Sequence, residues 1–202
     1  MKLPATANQS RSDFKAIAEW VKPGASVLDL GCGDGQLLQY LYAQRGVTGY
    51  GVEINDANVL ACVGNGISVI QRDLEGGLAG FDDGSFDYVI LSQTLQAMRH
   101  AEEIVLEMLR VGRQGIVTFP NFGHWEARLQ VLAGRMPVSR SLPYQWYDTP
   151  NIHLCTINDF ESFCATHAIR ILERVVLANG RAVNVLPNLL GNLAVFRFEK
   201  QD

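Results

Sequence analysis

The chain has 202 residues, 48% of them hydrophobic and 19% charged, and a formal net charge of −4 at pH 7. This length fits one α/β domain with a sizeable core, and the composition excludes an intrinsically disordered protein. The negative net charge gives no electrostatic basis for a nucleic-acid partner. No apolar run is long enough to cross a membrane as a helix.

Residues 1–9 are predicted to form a flexible arm. They contain one basic residue but no apolar core of a secretory signal, so we expect a cytoplasmic protein. The four cysteines lack CxxC spacing and a histidine at zinc-finger distance; they are Cys32, Cys62, Cys155 and Cys164. We therefore expect reduced thiols in the core and no metal site.

Apolar periodicity predicts strands and helices that alternate along the first part of the chain. The predicted strands cover about residues 25–30, 47–54, 67–71, 86–91 and 114–119. The predicted helices cover about residues 11–21, 35–45, 55–64 and 101–110. Such alternation requires crossover connections and therefore predicts a parallel sheet with helices on both faces.

The alternation stops after the fifth strand. The segment 120–155 is rich in aromatic residues, glycine and proline, and we expect a helix at about 123–133 followed by a long loop. This segment is interpreted as a lid over the strand ends or as a contact for a partner. Thr156 and Asp159 predict a capping box at the start of the next helix. The last predicted elements are a helix at about 156–167 and strands at about 169–177 and 193–199.

A glycine-rich loop follows the first predicted strand. The sequence DLGCGDG at Asp29–Gly35 leads directly into an apolar-periodic helix. Glycines permit close approach of a ligand, and the N-terminus of the helix offers free N–H groups and a positive dipole end. The loop departs from the dinucleotide fingerprint, which needs glycine at Gln36. A turn that binds no ligand is the alternative interpretation.

Three acidic residues lie in or just beyond the carboxyl ends of predicted strands, where ligands bind in open parallel sheets. Glu53 could accept the hydroxyl hydrogens of a ribose, and Asp73 could accept from an exocyclic amine. Asp29 could bind loop amides or an ammonium group, because a carboxylate in an apolar strand requires partners. A solvated strand end for Glu53 and an Asx turn for Asp73 are the structural alternatives.

Together these features resemble the class I S-adenosylmethionine-dependent methyltransferases. The resemblance implies a single domain over residues 1–202 with a Rossmann-like fold, a seven-stranded and mostly parallel sheet with one antiparallel strand. It also implies that S-adenosylmethionine or S-adenosylhomocysteine binds, with its ribose on Glu53 and its adenine amine on Asp73. The cofactor-binding residues implied are Asp29, Gly31, Cys32, Gly33, Asp34, Gly35, Glu53, Ile54, Asp73, Leu74, Ser92 and Gln93.

Further motifs are similar to those of the methionine biosynthesis protein W (MetW) family, over about residues 11–200. They are GVEI at 51–54, QRDLE at 71–75, LSQTLQ at 91–96, FPNF at 119–122 and YQWYDTPNIH at 144–153. This similarity implies a role in methionine biosynthesis, as an accessory and regulatory partner of homoserine O-acyltransferase. The alternative is an active methyltransferase that acts on a small molecule.

His124 and His153 are the candidate general bases for such a transfer. The structural alternative is that each histidine bonds a backbone group or caps a loop. Neither Ser92 nor Cys32 lies in a GxSxG elbow or a Cys/His pairing, so nucleophilic hydrolysis is not expected. The aromatic residues of the segment 120–155 are interpreted as core packing or a partner contact rather than a substrate cage.

Overall fold

A computed structural model describes residues 11–139 and 142–201, and the predicted arm at 1–9 lies outside the described residues. The strands are β1 (Ser26–Leu30), β2 (Thr48–Glu53), β3 (Val69–Gln71), β4 (Phe86–Ser92), β5 (Gly112–Pro120), β6 (Ile169–Ala178), β7 (Arg181–Ala182) and β8 (Leu193–Lys200). The helices are α1 (Arg11–Trp20), α2 (Gln36–Arg45), α3 (Asp56–Gly64), α4 (Ala101–Val111), α5 (Trp125–Leu132), α6 (Ile157–Thr166) and α7 (Pro187–Leu190). Short 3-10 turns cover Leu74–Gly76 and Leu95–Ala97.

Every strand and helix predicted from the sequence is present, with ends within about two residues of the predicted bounds. The capping box of α6 is also confirmed. The Thr156 side chain accepts from the Asp159 N–H group, and the Asp159 side chain accepts from the Thr156 N–H group. These two bonds satisfy donors that the first turn of a helix leaves free.

The strands form one sheet in the order β3-β2-β1-β4-β5-β8-β6-β7. Strands β1 to β5 pair in parallel, whereas β8 runs antiparallel to both of its neighbours, β5 and β6. The predicted Rossmann-like fold with an antiparallel closing strand is therefore confirmed. The carboxyl ends of β1, β2, β3 and β4 lie at one edge of the sheet.

The predicted count of seven strands is wrong, because the described residues form an eight-stranded sheet. The additional strand is β7, which pairs antiparallel with the end of β6 and runs in the same direction as β8. Asn179 and Gly180 have φ of 49° and 79°, so they form a tight two-residue turn that folds the chain back along β6. A strand of two residues is too short to produce a periodic signal.

Two apolar clusters cover the two faces of the sheet. Leu28 and Leu30 of β1 belong to the cluster that contains the inner sides of α4 and α6. Val27 belongs to the cluster that contains the inner sides of α1 and α2. Because side chains alternate along a strand, Asp29 shares the face of Val27. The buried acidic residue of β1 therefore lies under the helix that follows the glycine loop.

Candidate functional site

The glycine loop folds over the end of β2. The N–H groups of Gly31 and Cys32 both donate to the carbonyl oxygen of Val52, at 2.8 and 3.1 Å. Gly31 has φ of 65°, and a Cβ at this position would lie 2.7 Å from the hydroxyl oxygen of Thr94. Glycine is required here both for the left-handed backbone and for the close contact with the residues that follow β4.

The carboxylate of Glu53 attaches the loop to β2. It is 7% exposed, and its Oε2 accepts from the Gly33 N–H group at 2.9 Å. Its Oε1 accepts from the N–H groups of Ile54 and Asn55, each at 2.8 Å. Glu53 is therefore not the solvated strand end of the structural alternative but a buried acceptor of three backbone N–H groups.

The last part of the loop prepares the N-terminus of α2. Gly35 precedes the helix with φ of 79°, and a Cβ there would lie 2.9 Å from a side-chain carbon of Ile67. The Asp34 carboxylate accepts from the backbone and the side-chain amide of Gln36. A carboxylate at this position complements the positive end of the helix dipole.

Asp73, Leu74 and Ile54 lie around the ends of β2 and β3. The Asp73 carboxylate accepts from the Glu75 N–H group at 2.9 Å, which is the Asx turn that was the structural alternative, and the side chain is otherwise exposed. Leu74 is buried in the core, whereas Ile54 is 58% exposed. Ile54 is therefore the more accessible of the two side chains expected beside an adenine ring.

Ser92 and Gln93 continue this edge of the sheet at the end of β4. The Ser92 and Thr118 hydroxyl groups are hydrogen-bonded at 3.0 Å. Gln93 has φ of 53°, and its side-chain amide donates to the Asp13 carboxylate at 3.2 Å. A non-glycine residue in the left-handed region requires such support from its surroundings.

Sequence reasoning missed Asp13, which belongs to α1 and is fully buried. The sequence does indicate that Asp13 is buried, because Asp13 lies one turn before Ile17 on the apolar side of this helix. An acidic residue at a core position needs a polar partner. Through Gln93, α1 becomes part of the candidate site.

Asp29 is the most perturbed acid of the site. It is 2% exposed, and burial, with a smaller effect from the Glu53 charge, raises the pKa of its carboxyl group from 3.8 to about 8. Within residues 11–139 and 142–201, no cation or hydrogen bond offsets this effect. A ligand that brings positive charge to this position would lower the pKa and stabilise the carboxylate.

Two thiols lie beside Asp29 and the loop. The sulfur atoms of Cys32 and Cys62 are 3.7 Å apart, and the Cys62 thiol donates to the Gly33 carbonyl at 3.1 Å. Burial is the main cause that raises the pKa of both thiols, so neither is poised as a thiolate nucleophile. All four cysteines are free; Cys32, Cys62 and Cys164 are buried, whereas Cys155 is partly exposed.

The two candidate bases line different cavities. His124 precedes α5, its side chain is 14% exposed, and its Nδ1 lies 3.8 Å from a carboxylate oxygen of Glu126. His153 is exposed; its Nε2 lies 3.3 Å from the Arg99 carbonyl oxygen, and its backbone N–H group donates to the Gln96 carbonyl. His153 thus makes the backbone contacts of the structural alternative, whereas the His124 side chain makes no capping hydrogen bond to α5.

The described part of the chain contains no group of three His, Cys, Asp or Glu side chains that could hold a metal ion. None of the helices in this part combines the length and apolar character needed to cross a bilayer.

Comparison with known proteins identifies the family. The model of the family described as methionine biosynthesis protein MetW matches residues 11–198. The chain belongs to the MetW family. A curated relative, the bifunctional methionine biosynthesis protein MetXA/MetW of Rhodopirellula baltica, is 38% identical over 204 residues. The match covers 94% of this chain but 33% of the relative, so the chain spans about a third of that protein's length.

Solved structures support the fold assignment. An S-adenosylmethionine-dependent methyltransferase from Archaeoglobus fulgidus superposes with a TM-score of 0.71 and 16% identity, covering 95% of this chain and 93% of that chain. A TehB-like methyltransferase of the same cofactor class from Corynebacterium glutamicum gives a TM-score of 0.65 and 15% identity, covering 98% and 91%. At this identity the likeness shows the class I methyltransferase fold.

The acidic residues give a first test of the site. We predict that Glu53→Ala and Asp73→Ala each weaken S-adenosylmethionine binding by about 1–3 kcal/mol through lost charge-assisted hydrogen bonds. Glu53→Ala should also lower the free energy of unfolding more than Asp73→Ala, because it leaves the Gly33 amide without its acceptor. Calorimetry and urea unfolding measure the two effects, with the exposed Asp82→Ala as the control. Wild-type affinity in both variants would remove the two acids from the site.

Asp29 gives a second test, which depends on pH. Its pKa is higher in the folded protein than in the unfolded chain, so between about pH 4 and pH 8 the folded state holds a proton that the unfolded state has lost. The Asp29 contribution to stability therefore falls as the pH rises through this window. We predict that Asp29→Asn gains more stability over the wild type at pH 8.5 than at pH 5 in urea unfolding. An equal difference at both pH values would contradict the assignment.

Proposed function

We propose that this chain binds S-adenosylmethionine and acts as an accessory and regulatory partner of homoserine O-acyltransferase in methionine biosynthesis, in the cytoplasm. The family assignment supports the pathway. The observation that carries the partnership is the Rhodopirellula baltica relative, whose name joins MetXA and MetW in one polypeptide. Two units that work together gain a high effective concentration from such a linkage.

The residues at the carboxyl edge of the sheet fit this cofactor. Glu53 and Asp73 supply carboxylate oxygens for the ribose hydroxyls and the adenine amine, and the exposed Ile54 offers an apolar surface for the ring. Asp29 has the chemistry to stabilise the cationic methionine end, since its burial is not offset by any described cation. When bound, the cofactor supplies a methyl group on a sulfonium, the reactive centre of methyl transfer.

The rest of the expected set has supporting roles. Gly31, Gly33 and Gly35 have left-handed backbone angles, which residues with a Cβ adopt only with strain. Because glycine has no side chain, these positions also let the cofactor approach the backbone of the loop. The other members frame the pocket: Cys32 and Asp34 in the loop, Leu74 beneath the adenine side, and Ser92 and Gln93 at the methionine end.

Regulation requires that the cofactor has different affinities for two functional states of the complex. The cofactor is the downstream product of methionine, so its binding would report the output of the pathway to the acyltransferase. By linkage, the acyltransferase must change the cofactor affinity by the same factor as the cofactor changes acyltransferase binding.

An acylation assay tests this proposal. We predict that adding the chain to purified homoserine acyltransferase raises the rate of homoserine acylation. We also predict that S-adenosylmethionine changes this increase, because it should change the affinity of the chain for the acyltransferase by about 5–150-fold. Glu53→Ala should retain the increase and lose the response to the cofactor. Acylation that is indifferent to the chain at every concentration would exclude the accessory role.

A second candidate is a methyltransferase that acts on a small molecule. The observation that favours it is a polar cavity of about 280 Å³ at the end of β5, lined by His124, Glu126 and Asn121 among others. It lies at the same edge of the sheet as the proposed cofactor site. Its volume fits a small polar acceptor, and His124 could act as its general base.

Labelled cofactor separates this candidate from the first. If the chain is a methyltransferase, the wild type transfers labelled methyl groups to a component of a metabolite extract. His124→Ala should then reduce the rate by about 10²–10⁴-fold, which is the usual contribution of a general base. His100→Ala, a change at an exposed histidine outside the cavity, is the control. Absence of transfer by the wild type would exclude this candidate.

A further inference from the structure

Helix α5 carries an apolar stripe that is largely exposed. Trp125, Leu129 and Leu132 follow the spacing i, i+4, i+7 and therefore lie on one side of the helix. They are 44%, 55% and 83% exposed, and α5 has no buried residue at all. Helices α4 and α6, by contrast, insert their apolar sides into the core.

Polar contacts join α5 to its flanking loops without using this stripe. The Arg128 guanidinium donates to the Gly123 carbonyl at 2.7 Å. The Gln130 side chain both donates to and accepts from the backbone of Val138, at 3.0 and 2.9 Å. An eight-residue helix is only marginally stable by itself, and these bonds join α5 to the loops directly before and after it. The polar side chains of α5 are thus used locally, and its apolar stripe stays exposed.

A second group of exposed aromatic residues belongs to the same segment of the chain. Trp146 and Tyr147 are 73% and 70% exposed, and their rings meet edge to face with centroids 5.6 Å apart. The segment returns to the base of α5, where the Phe122 N–H group donates to the Cys155 carbonyl at 3.1 Å. Exposed apolar groups of this kind within one segment of the chain are typical of an interaction surface.

We infer that the exposed apolar residues Trp125, Leu129, Leu132, Trp146 and Tyr147 together form an aromatic surface on which homoserine acyltransferase docks. The inference depends on the proposed function for the identity of the partner and adds the location of the contact. The occupant is inferred from the Rhodopirellula baltica relative, in which about two thirds of the polypeptide lies outside the match to this chain and whose name joins MetXA to MetW.

The position of α5 favours a partner over a lid. The helix follows β5, and β4 separates β5 from β1 and its glycine loop. A helix in this position starts at the same edge of the sheet as the proposed cofactor site but one strand away from the glycine loop. A docked acyltransferase would then share this edge with the cofactor, which allows binding at one site to influence the other. Aromatic residues and apolar helix stripes are typical centres of protein interfaces.

The test uses Leu129→Glu combined with Leu132→Glu, two changes at exposed positions that should leave the fold intact. The matched control is Leu60→Glu, since Leu60 is a helical leucine of similar exposure, 72%, on α3. We expect the Kd for purified homoserine acyltransferase to rise at least tenfold for the double variant and to stay within twofold for the control. Trp146→Ala should weaken binding in the same direction.

The outcomes are distinguishable. If the wild type does not bind the acyltransferase, the proposed function fails and this inference fails with it. If the wild type binds and the double variant binds equally well, this inference alone is overturned. Size-exclusion chromatography and S-adenosylmethionine titration of the same variants complete the test. Suppose that the double variant keeps its affinity for the acyltransferase. Loss of self-association would then assign the surface to a second copy of the chain, and loss of cofactor affinity would assign it to a lid. Either result overturns the inference.

Discussion

The carboxylate of Glu53 is the contact on which the candidate site depends. Its bond to Gly33, with the bonds of Gly31 and Cys32 to Val52, attaches the glycine loop to β2. Hydrogen bonds to a charged acceptor are stronger than those between neutral groups, and this acceptor is largely buried. The loop is therefore held in a defined conformation in front of α2 before any ligand arrives, which reduces the ordering cost of binding.

This arrangement places two carboxyl groups in a small volume. Asp29 and Glu53 are both buried, and the charge of Glu53 contributes to the raised pKa of Asp29. Two neighbouring carboxylates without a cation are costly to keep ionised in an apolar environment, so Asp29 holds a proton near neutral pH. The proposed cofactor carries positive charge on its sulfonium and ammonium groups, so its binding would favour the ionised form of Asp29 and release this proton. The same physical argument explains why the demethylated product should bind differently, because it has lost the sulfonium charge.

Much of the fold could be predicted because it depends on local signals. Glycines, apolar periodicity and capping residues located the elements, and the alternation of strands and helices predicted the parallel sheet. The acids Asp29, Glu53 and Asp73 were found because they lie in or just beyond the ends of predicted strands. Their actual partners were not predictable, since Glu53 bonds to Gly33 only once the loop has folded over β2.

Other features depend on packing between distant parts of the chain. The contact of Asp13 with Gln93 joins α1 to the end of β4, and sequence spacing carries no information about such a pair. Helix α5 was predicted correctly, but periodicity alone does not tell whether an apolar side meets the core or solvent. Its exposed stripe emerges only from the tertiary structure, and it is the feature on which we base the proposed partner contact of the segment 120–155.

The most direct test is a crystal structure of the protein with S-adenosylhomocysteine at saturating concentration. The adenosine is expected at the carboxyl edge of the sheet, with ribose hydroxyls within hydrogen-bond distance of Glu53 and the adenine amine near Asp73. A ligand bound elsewhere, or no ligand at this edge under saturating conditions, would contradict the proposed cofactor site.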